Sequence, residues 1–515
     1  MSLIDRRSVL RTGLLMAGGA TLAACGGGGR KPAFVAPNST EVRKAEAARR
    51  KAGGAVRDFR LTAAEGKVDL GGRTVRTWTY GERLPGSQIR VKAGEVVRAR
   101  VTNRLPTGTT VHWHGLALRN DADGVPGVTQ PEIKTGAEFT YEFAVPHPGT
   151  YWFHPHSGPQ LDRGLYAPLI VEDPREPLSY DAEWVVVLDD WLDGVTGTPD
   201  QVLAELSRGM GMNGGGHSNM PGMDMGHQTE TPAPGPSGMG GHMLMGAESG
   251  LLGGDAGDVR YPHFLINGRL AEEPEVFRAK PGDRIRIRFI NAGGDTAFRV
   301  ALGGHRMTVT HTDGFPVRPV ETDALLIGMG ERYDAIVTAA SGAFPLTALA
   351  EGKNAVARAV LRTGTAAEAP AADTRPAELQ RKIVGYGDLR PSDAVQLKDR
   401  RPDRTVRLEL TGGMMKYDWA INGRKYDPKN LYPVRSGERV RLSFVNRTTM
   451  WHPMHLHGHT FAVAPTGVRK DTAIVLPNRS LDVDFDADNP GRWMIHCHNI
   501  YHAESGMMAL LGYQA

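Results

Sequence analysis

Three stretches of the chain alternate apolar and polar residues behind a Gly-acid pair. They are Gly94-Glu95-Val96-Val97-Arg98-Ala99-Arg100-Val101-Thr102-Asn103, Gly282-Asp283-Arg284-Ile285-Arg286-Ile287-Arg288-Phe289-Ile290-Asn291 and Gly437-Glu438-Arg439-Val440-Arg441-Leu442-Ser443-Phe444-Val445-Asn446. A period of two is that of a strand with one apolar face, and the leading pair reads as a turn. Ile266-Asn267-Gly268 and Ile421-Asn422-Gly423 stand at the same distance before the second and third copies. A unit repeated in this way predicts three consecutive β domains, and the strand pattern alone implies an antiparallel sandwich or barrel for each.

Downstream the copies diverge. At the same offset past the terminal Asn, the first has His112-Trp113-His114-Gly115, the third His455-Leu456-His457-Gly458, and the second Val300-Ala301-Leu302-Gly303. Slightly earlier, the third has His452 where the first has Thr109. A second match aligns Pro148-Gly149-Thr150-Tyr151-Trp152-Phe153-His154-Pro155-His156 with Pro490-Gly491-Arg492-Trp493-Met494-Ile495-His496-Cys497-His498. It places Pro155, Gln160 and Leu165 opposite Cys497, His502 and Met507. The middle domain thus keeps the scaffold without the histidines and is expected to act as a spacer between the two outer domains.

Each His-x-His unit, if extended, puts both imidazoles on one face, and in His496-Cys497-His498 the thiol points to the other. One tripeptide then serves two metal sites. A thiolate with two imidazoles and a weak axial Met is the pattern of a blue copper that exchanges one electron, met here by His452, Cys497, His502 and Met507. The remaining eight histidines suffice for a cluster of several metals. Together these twelve residues take ten of the chain's 18 His and its only cysteine beyond the N-terminal leader.

On these four segments, in their order and spacing, the chain resembles the multicopper oxidases, laccases and cuprous oxidases included, over nearly all of its length beyond about residue 60. The resemblance implies an all-β protein of three cupredoxin-like Greek-key sandwiches binding four copper ions. It implies a type 1 site at His452, Cys497, His502 and Met507, and a type 2 site at His112 and His455. A type 3 pair is implied at His114, His154, His156, His457, His496 and His498. Substrate electrons would enter at the type 1 copper, pass along Cys497 and reduce O2 to water at the other three. A Met at position 507 implies a lower potential than the Leu or Phe of high-potential laccases. Asp123, in Asn120-Asp121-Ala122-Asp123-Gly124, matches an acid that relays protons near the type 2 copper, although an Asp-Gly turn is the plain reading. Cuprous oxidases carry a glutamate directly after the His502 position. Here Ala503 stands there, and Glu504, one residue on, is the candidate second proton donor.

Composition adds boundaries. A net charge of +4 with pI near 8.9 is too mild to argue for nucleic acid, and 64 Gly with 34 Pro suit a turn-rich β protein. Arg6-Arg7-Ser8-Val9-Leu10 before the apolar stretch 13–24 resembles a twin-arginine export signal, and Leu22-Ala23-Ala24-Cys25 a lipoprotein cleavage box. Lipid on Cys25 would anchor a monomer to the outer face of the cytoplasmic membrane, through a flexible tether over 26–58. The domains are expected at 59–174, 181–365 and 401–515, with a linker over 366–400. With one cysteine left in the mature chain, no disulfide is expected.

Residues 207–247 break the β pattern and carry Met210, Met212, Met220, Met223, Met225, Met239, Met243 and Met245, eight of the chain's 19 Met. Thioethers select Cu(I), and the segment is similar to copper-gathering stretches of copper-resistance oxidases. Cu(I) is therefore the expected reductant, with a phenol or Fe(II) as the alternative. A lipoprotein that only stores copper is disfavoured, because storage does not explain a cysteine shared by two sites.

Overall fold

The computed structural model describes residues 33–210, 241–364 and 368–515. Three β-sandwich domains follow one another. The first pairs a sheet of Val56–Asp69, Thr74–Tyr80, Val96–Asn103 and Glu138–Ala144 with one of Ile89–Lys92, His112–His114, Gly149–His154 and Ala167–Glu172. The second packs two six-stranded sheets, and the third a six-stranded sheet on a five-stranded one. The sheets are mixed rather than purely antiparallel. In each domain the opening strand runs parallel to the repeat strand, Val56 beside Val96, Ile285 beside Ala182 and Arg404 beside Val440. A Greek-key path that crosses between sheets returns the chain in the same direction, which an alternation pattern cannot reveal.

The repeat has a physical basis. The carboxamide of its terminal Asn closes the loop leading to the next strand. Asn103 donates to the carbonyls of Thr107 and Ile133, Asn291 to those of Thr296 and Ile327, and Asn446 to those of Met450 and Val475. In each case the amide oxygen accepts a main-chain N–H two residues on. All three are buried, so each carboxamide satisfies main-chain groups that would otherwise be stranded. The turn asparagines Asn267 and Asn422 match as well, both at positive φ and both accepting from the opening strand.

The reading of 26–58 as a tether is overturned over its described part. Phe34 bridges Gln514, and Thr40–Arg49 is a helix capped by Ser39. Its Glu46 carboxylate is buried and accepts the Ala144 N–H at 2.8 Å. With only Val42 and Glu46 buried, the helix has no apolar stripe for a sequence pattern to catch. The 366–400 linker also lies down: Ile383–Val384 pairs with Ala324–Ile327 of the middle domain, and Pro391 bridges Val317. The roots of the methionine-bearing insert are fixed by a capped helix, Pro199–Leu206, and by His242, which is 2.9 Å from Glu205. Met212, Met220, Met223, Met225 and Met239, like Cys25 and the whole leader, lie outside the described residues.

Candidate metal centre

The edge between domains one and three is where the histidines meet. In domain one, His112 pairs across the sheet with His154; in domain three, His455 pairs with His496 and Met454 with Cys497. The two domains face each other with imidazoles in register. His112 stacks on His457 and His114 on His455, each pair with ring centroids 3.8 Å apart. Nitrogens converge in groups: His114, His154 and His498; His156, His457 and His496; and His112 with His455 beside His114.

Second partners decide which nitrogen is free. The Nδ1 atoms of His112, His154, His455 and His496 donate to the carbonyls of Asp123, Pro155, Asp471 and Cys497 at 2.8–2.9 Å. His457 Nδ1 donates to the Asp123 carboxylate at 3.0 Å, and His114 uses Nε2 instead, 3.1 Å from Asp471. That leaves Nε2 of His112, His154 and His455, Nδ1 of His114 and both nitrogens of His498 buried without any hydrogen-bond partner. Orphaned buried nitrogens each cost about 1–3 kcal/mol, so aiming several at one point is unstable unless a cation occupies it. Burial holds His114, His154, His156, His457, His496 and His498 well below the ordinary histidine range, hence neutral, which is the ligating form. The donor set therefore fits copper.

On the other face of the Cys497 strand, the Sγ lies 3.6 Å from His452 Nδ1 and 3.7 Å from His502 Nδ1, and those two nitrogens are 3.1 Å apart. Their outer nitrogens are occupied, His452 Nε2 by Thr448 Oγ1 at 2.8 Å and His502 Nε2 by Asp258 at 2.9 Å. His502 sits in the helix Ile500–Ser505, whose first turn is held by the Asn499 side chain. Met507 follows that helix, is fully buried, and accepts the Cys497 N–H through its carbonyl.

Of the two acids expected near the cluster, only Asp123 is there, buried between His112 and His457. Glu504 is a correction: it makes no hydrogen bond to a cluster histidine among the described residues. Burial, then Asp200, pushes its carboxyl up to about 7.

The sequence reading missed the supporting partners. Asp471 accepts from His114 with its carboxylate and from His455 with its carbonyl, and is gripped by Arg332 of the middle domain through two contacts of 2.7 Å. Burial opposes its charge, and the Arg332 guanidinium outweighs that, keeping it well below the carboxylate range. This pair also explains the Gly of His112-Trp113-His114-Gly115. At φ +85, a Cβ on Gly115 would lie 2.4 Å from the Arg332 guanidinium. Asp258, bonded by Tyr417 at 2.9 Å, is the matching support for His502 at the Cys497 site. One signal was available, the charged run Arg469-Lys470-Asp471 just before the apolar Ala473-Ile474-Val475; Tyr417 offered none.

Residues 62–176, 247–366 and 399–514 match three family models, each described as multicopper oxidase. The chain is 49% identical to multicopper oxidase MmcO of Mycobacterium tuberculosis, over 99% of this chain and 97% of that protein. It is 31% identical to a copper resistance protein A homolog of Pseudomonas syringae pv. tomato, over 87% of this chain and 91% of that one. Among solved structures, Fet3p, a multicopper oxidase that functions in iron import, matches with TM-score 0.72 over 89% of this chain and 90% of its own at 20% identity, a likeness of fold.

Proposed function

Because the chain belongs to the multicopper oxidase family, a copper-dependent class of oxidoreductase with O2 as acceptor, we infer that its twelve ligand residues hold four copper ions. Type 1 falls to His452, Cys497, His502 and Met507, and type 2 to His112 and His455. The type 3 pair falls to His114, His154 and His498 on one side and His156, His457 and His496 on the other. Bound copper supplies the one-electron exchange with substrate and the four electrons that reduce O2 to water. The observation that carries the assignment is the strand Arg492–Cys497, whose cysteine faces His452 and His502 while its two neighbours enter different triads. That tripeptide is the shortest covalent path between the two centres. Met454 and His455 pair across from Cys497 and His496, keeping the path rigid. Asp123 is the carboxylate placed to pass protons toward His112 and His457. Arg332 and Asp471 keep the type 3 ligand His114 and the type 2 ligand His455 in their orientations.

Cu(I) is the reductant this reading favours, supported by the likeness to copper resistance protein A and by the thioethers at the roots of the insert. Oxygen consumption with Cu(I), Fe(II) and a phenol in parallel tests it. Cu(I) should give the highest kcat/KM, and a phenol preference would return the protein to laccase-like chemistry. The leader supports twin-arginine export and a lipid anchor on Cys25 facing the cell envelope. Cys25→Ala should move the protein from the membrane to the soluble fraction, and sedimentation should find that soluble form monomeric.

A further inference from the structure

Side chains alternate along the strand Val468–Lys470, so the two cations at its end face opposite ways and meet opposite surroundings. Lys470 points inward, is fully buried, and is neutralised by Asp313 at 3.1 Å and Glu331 at 3.0 Å. Arg469 points into a cavity of about 330 Å3 between the first and third domains. Its Nη atoms donate only to neutral oxygens, the Val395 and Thr460 carbonyls at 3.2 Å each and the Thr460 hydroxyl, and its enclosed Nε–H has no partner. Two carboxylates line this cavity, but Asp486 is held by Arg439 at 2.8 Å, Asp488 stands exposed, and neither forms a salt bridge with Arg469. Burial, opposed by Asp488 and then Asp486, pulls the guanidinium down to about 10. An enclosed charge without a counter-ion is costly, so an unpaired guanidinium at a cavity marks a place for an anion. A second cavity, of about 390 Å3, adjoins the first, and His147, Phe315, Ala394 and Val395 line both. Its walls are largely apolar, with Val171, Leu178 and Val317, and the Arg469 guanidinium lies 5.1 Å from the Phe315 ring centroid. The cations on its floor are already neutralised, Arg286 by Asp334 and Glu176, and Arg288 by Asp334 and Glu183. Burial pulls His311 beside them down to about 4, so it too is uncharged near neutral pH.

We propose that the two cavities together form a binding site for a small aromatic monocarboxylate, with its ring among Phe315, Val317 and Val395 and its carboxylate on the Arg469 guanidinium. The walls select that class. A neutral ring compound would fill the apolar part and leave the guanidinium unpaired, whereas a dianion would bring a second charge toward Asp486 and Asp488 with one free guanidinium to meet it. His147, its ring centroid 5.8 Å from that of Phe315, offers the ligand ring a second aromatic face. Cavities of about 300–1,000 Å3 are the usual size of small-molecule sites, and one or two fused rings with a head group suit these two. None of the twelve copper ligands lines either cavity, so binding here involves no bond to copper and no electron transfer. All three domains and the linker residues Ala394 and Val395 contribute, so an occupant ties the linker to the junction it crosses.

The probe is 2-naphthoate, which carries no phenol for the enzyme to oxidise, titrated calorimetrically into copper-loaded full-length protein. Its neutral counterpart 2-naphthalenemethanol tests the charge, and acetate tests the head group without the rings. One 2-naphthoate should bind per chain with the visible copper spectrum unchanged, and both controls should bind at least about tenfold more weakly. Arg469→Met should bring 2-naphthoate down to the level of the alcohol. Ala394→Trp, at an exposed linker residue lining both cavities, should block both ring compounds. No binding of 2-naphthoate, equal affinity for acid and alcohol, or acetate binding as tightly as 2-naphthoate overturns the proposal. So does binding that survives either substitution, or that shifts the copper spectrum, since the carboxylate would then sit elsewhere. If Arg469→Met does not fold, the acid-alcohol comparison on the parent protein and the Ala394→Trp block decide the matter.

Discussion

The first and third domains present the same corner of the same sandwich and resolve it in opposite ways. Where the third has His452 and His502, the first has Thr109 and Gln160, and these satisfy each other. Thr109 Oγ1 donates to Gln160 Oε1 at 2.7 Å, and Gln160 Nε2 donates to the Gly108 carbonyl. In the third domain both outer nitrogens are spent on Thr448 and Asp258, so the two Nδ1 atoms face each other at 3.1 Å beside a thiol. One corner is closed by an amide and a hydroxyl, and the other turns three metal-ligating atoms toward one point. What makes a metal site on this scaffold is therefore the placement of second partners as much as the ligands themselves.

The largest test of that contrast is Cys497→Ser. A hydroxyl provides neither the thiolate nor the electron path, so turnover should fall by more than about a thousandfold, ~4 kcal/mol in transition-state terms, with the intense visible absorption lost. Retained blue colour would refute the assignment. Arg332→Met comes next. It leaves the Asp471 charge buried and unpaired, at a cost on the order of 3–5 kcal/mol in denaturant unfolding, and should lower the content of cluster copper while the blue band survives. A loss of stability with full copper content would make the pair purely structural.

A smaller effect separates scaffold from site. Asn291→Ala in the middle domain should cost about 1–3 kcal/mol by stranding the carbonyls of Thr296 and Ile327, with copper content unaltered by elemental analysis. Asn446→Ala should cost as much and also weaken type 1 copper, because its loop leads directly to His452. The smallest change is expected from His452→Thr with His502→Gln, which copies the first domain's corner into the third. The copper-free variant should unfold within about 1 kcal/mol of the copper-free parent, because one buried hydrogen-bonded pair replaces another. A clearly earlier melt would show that the corner is not interchangeable.

The clustering of these histidines with Cys497 was legible because metal chemistry demands rare residue types at strand spacing, and His-x-His with a shared cysteine is read without knowing the fold. The three domains were legible because a loop-closing asparagine recurs at one offset. The supporting shell was not. Arg332, Asp471, Asp258 and Tyr417 act across domain boundaries, and contacts such as Arg332 with Asp471, 139 residues apart, leave no local period. Glu504 misled for the opposite reason. It stands close in sequence to a ligand, yet makes no hydrogen bond to a cluster histidine among the described residues. The helix Thr40–Arg49 escaped because it docks through one apolar residue and a carboxylate rather than through a stripe.

The pairing of His156 with His496 spans 340 residues. Each of the three imidazole groups, like the type 1 set, draws on residues from 452 onward, and none is complete within the first domain. During synthesis the first domain could fold and offer His112, His114, His154 and His156 while no copper geometry yet existed. Metal capture in final form thus waits for the closing strand of the third domain, so that a ribosome-released, fully folded chain and a copper-competent one are the same species. A truncated or misfolded chain cannot carry a complete set, so a full copper complement would report finished folding.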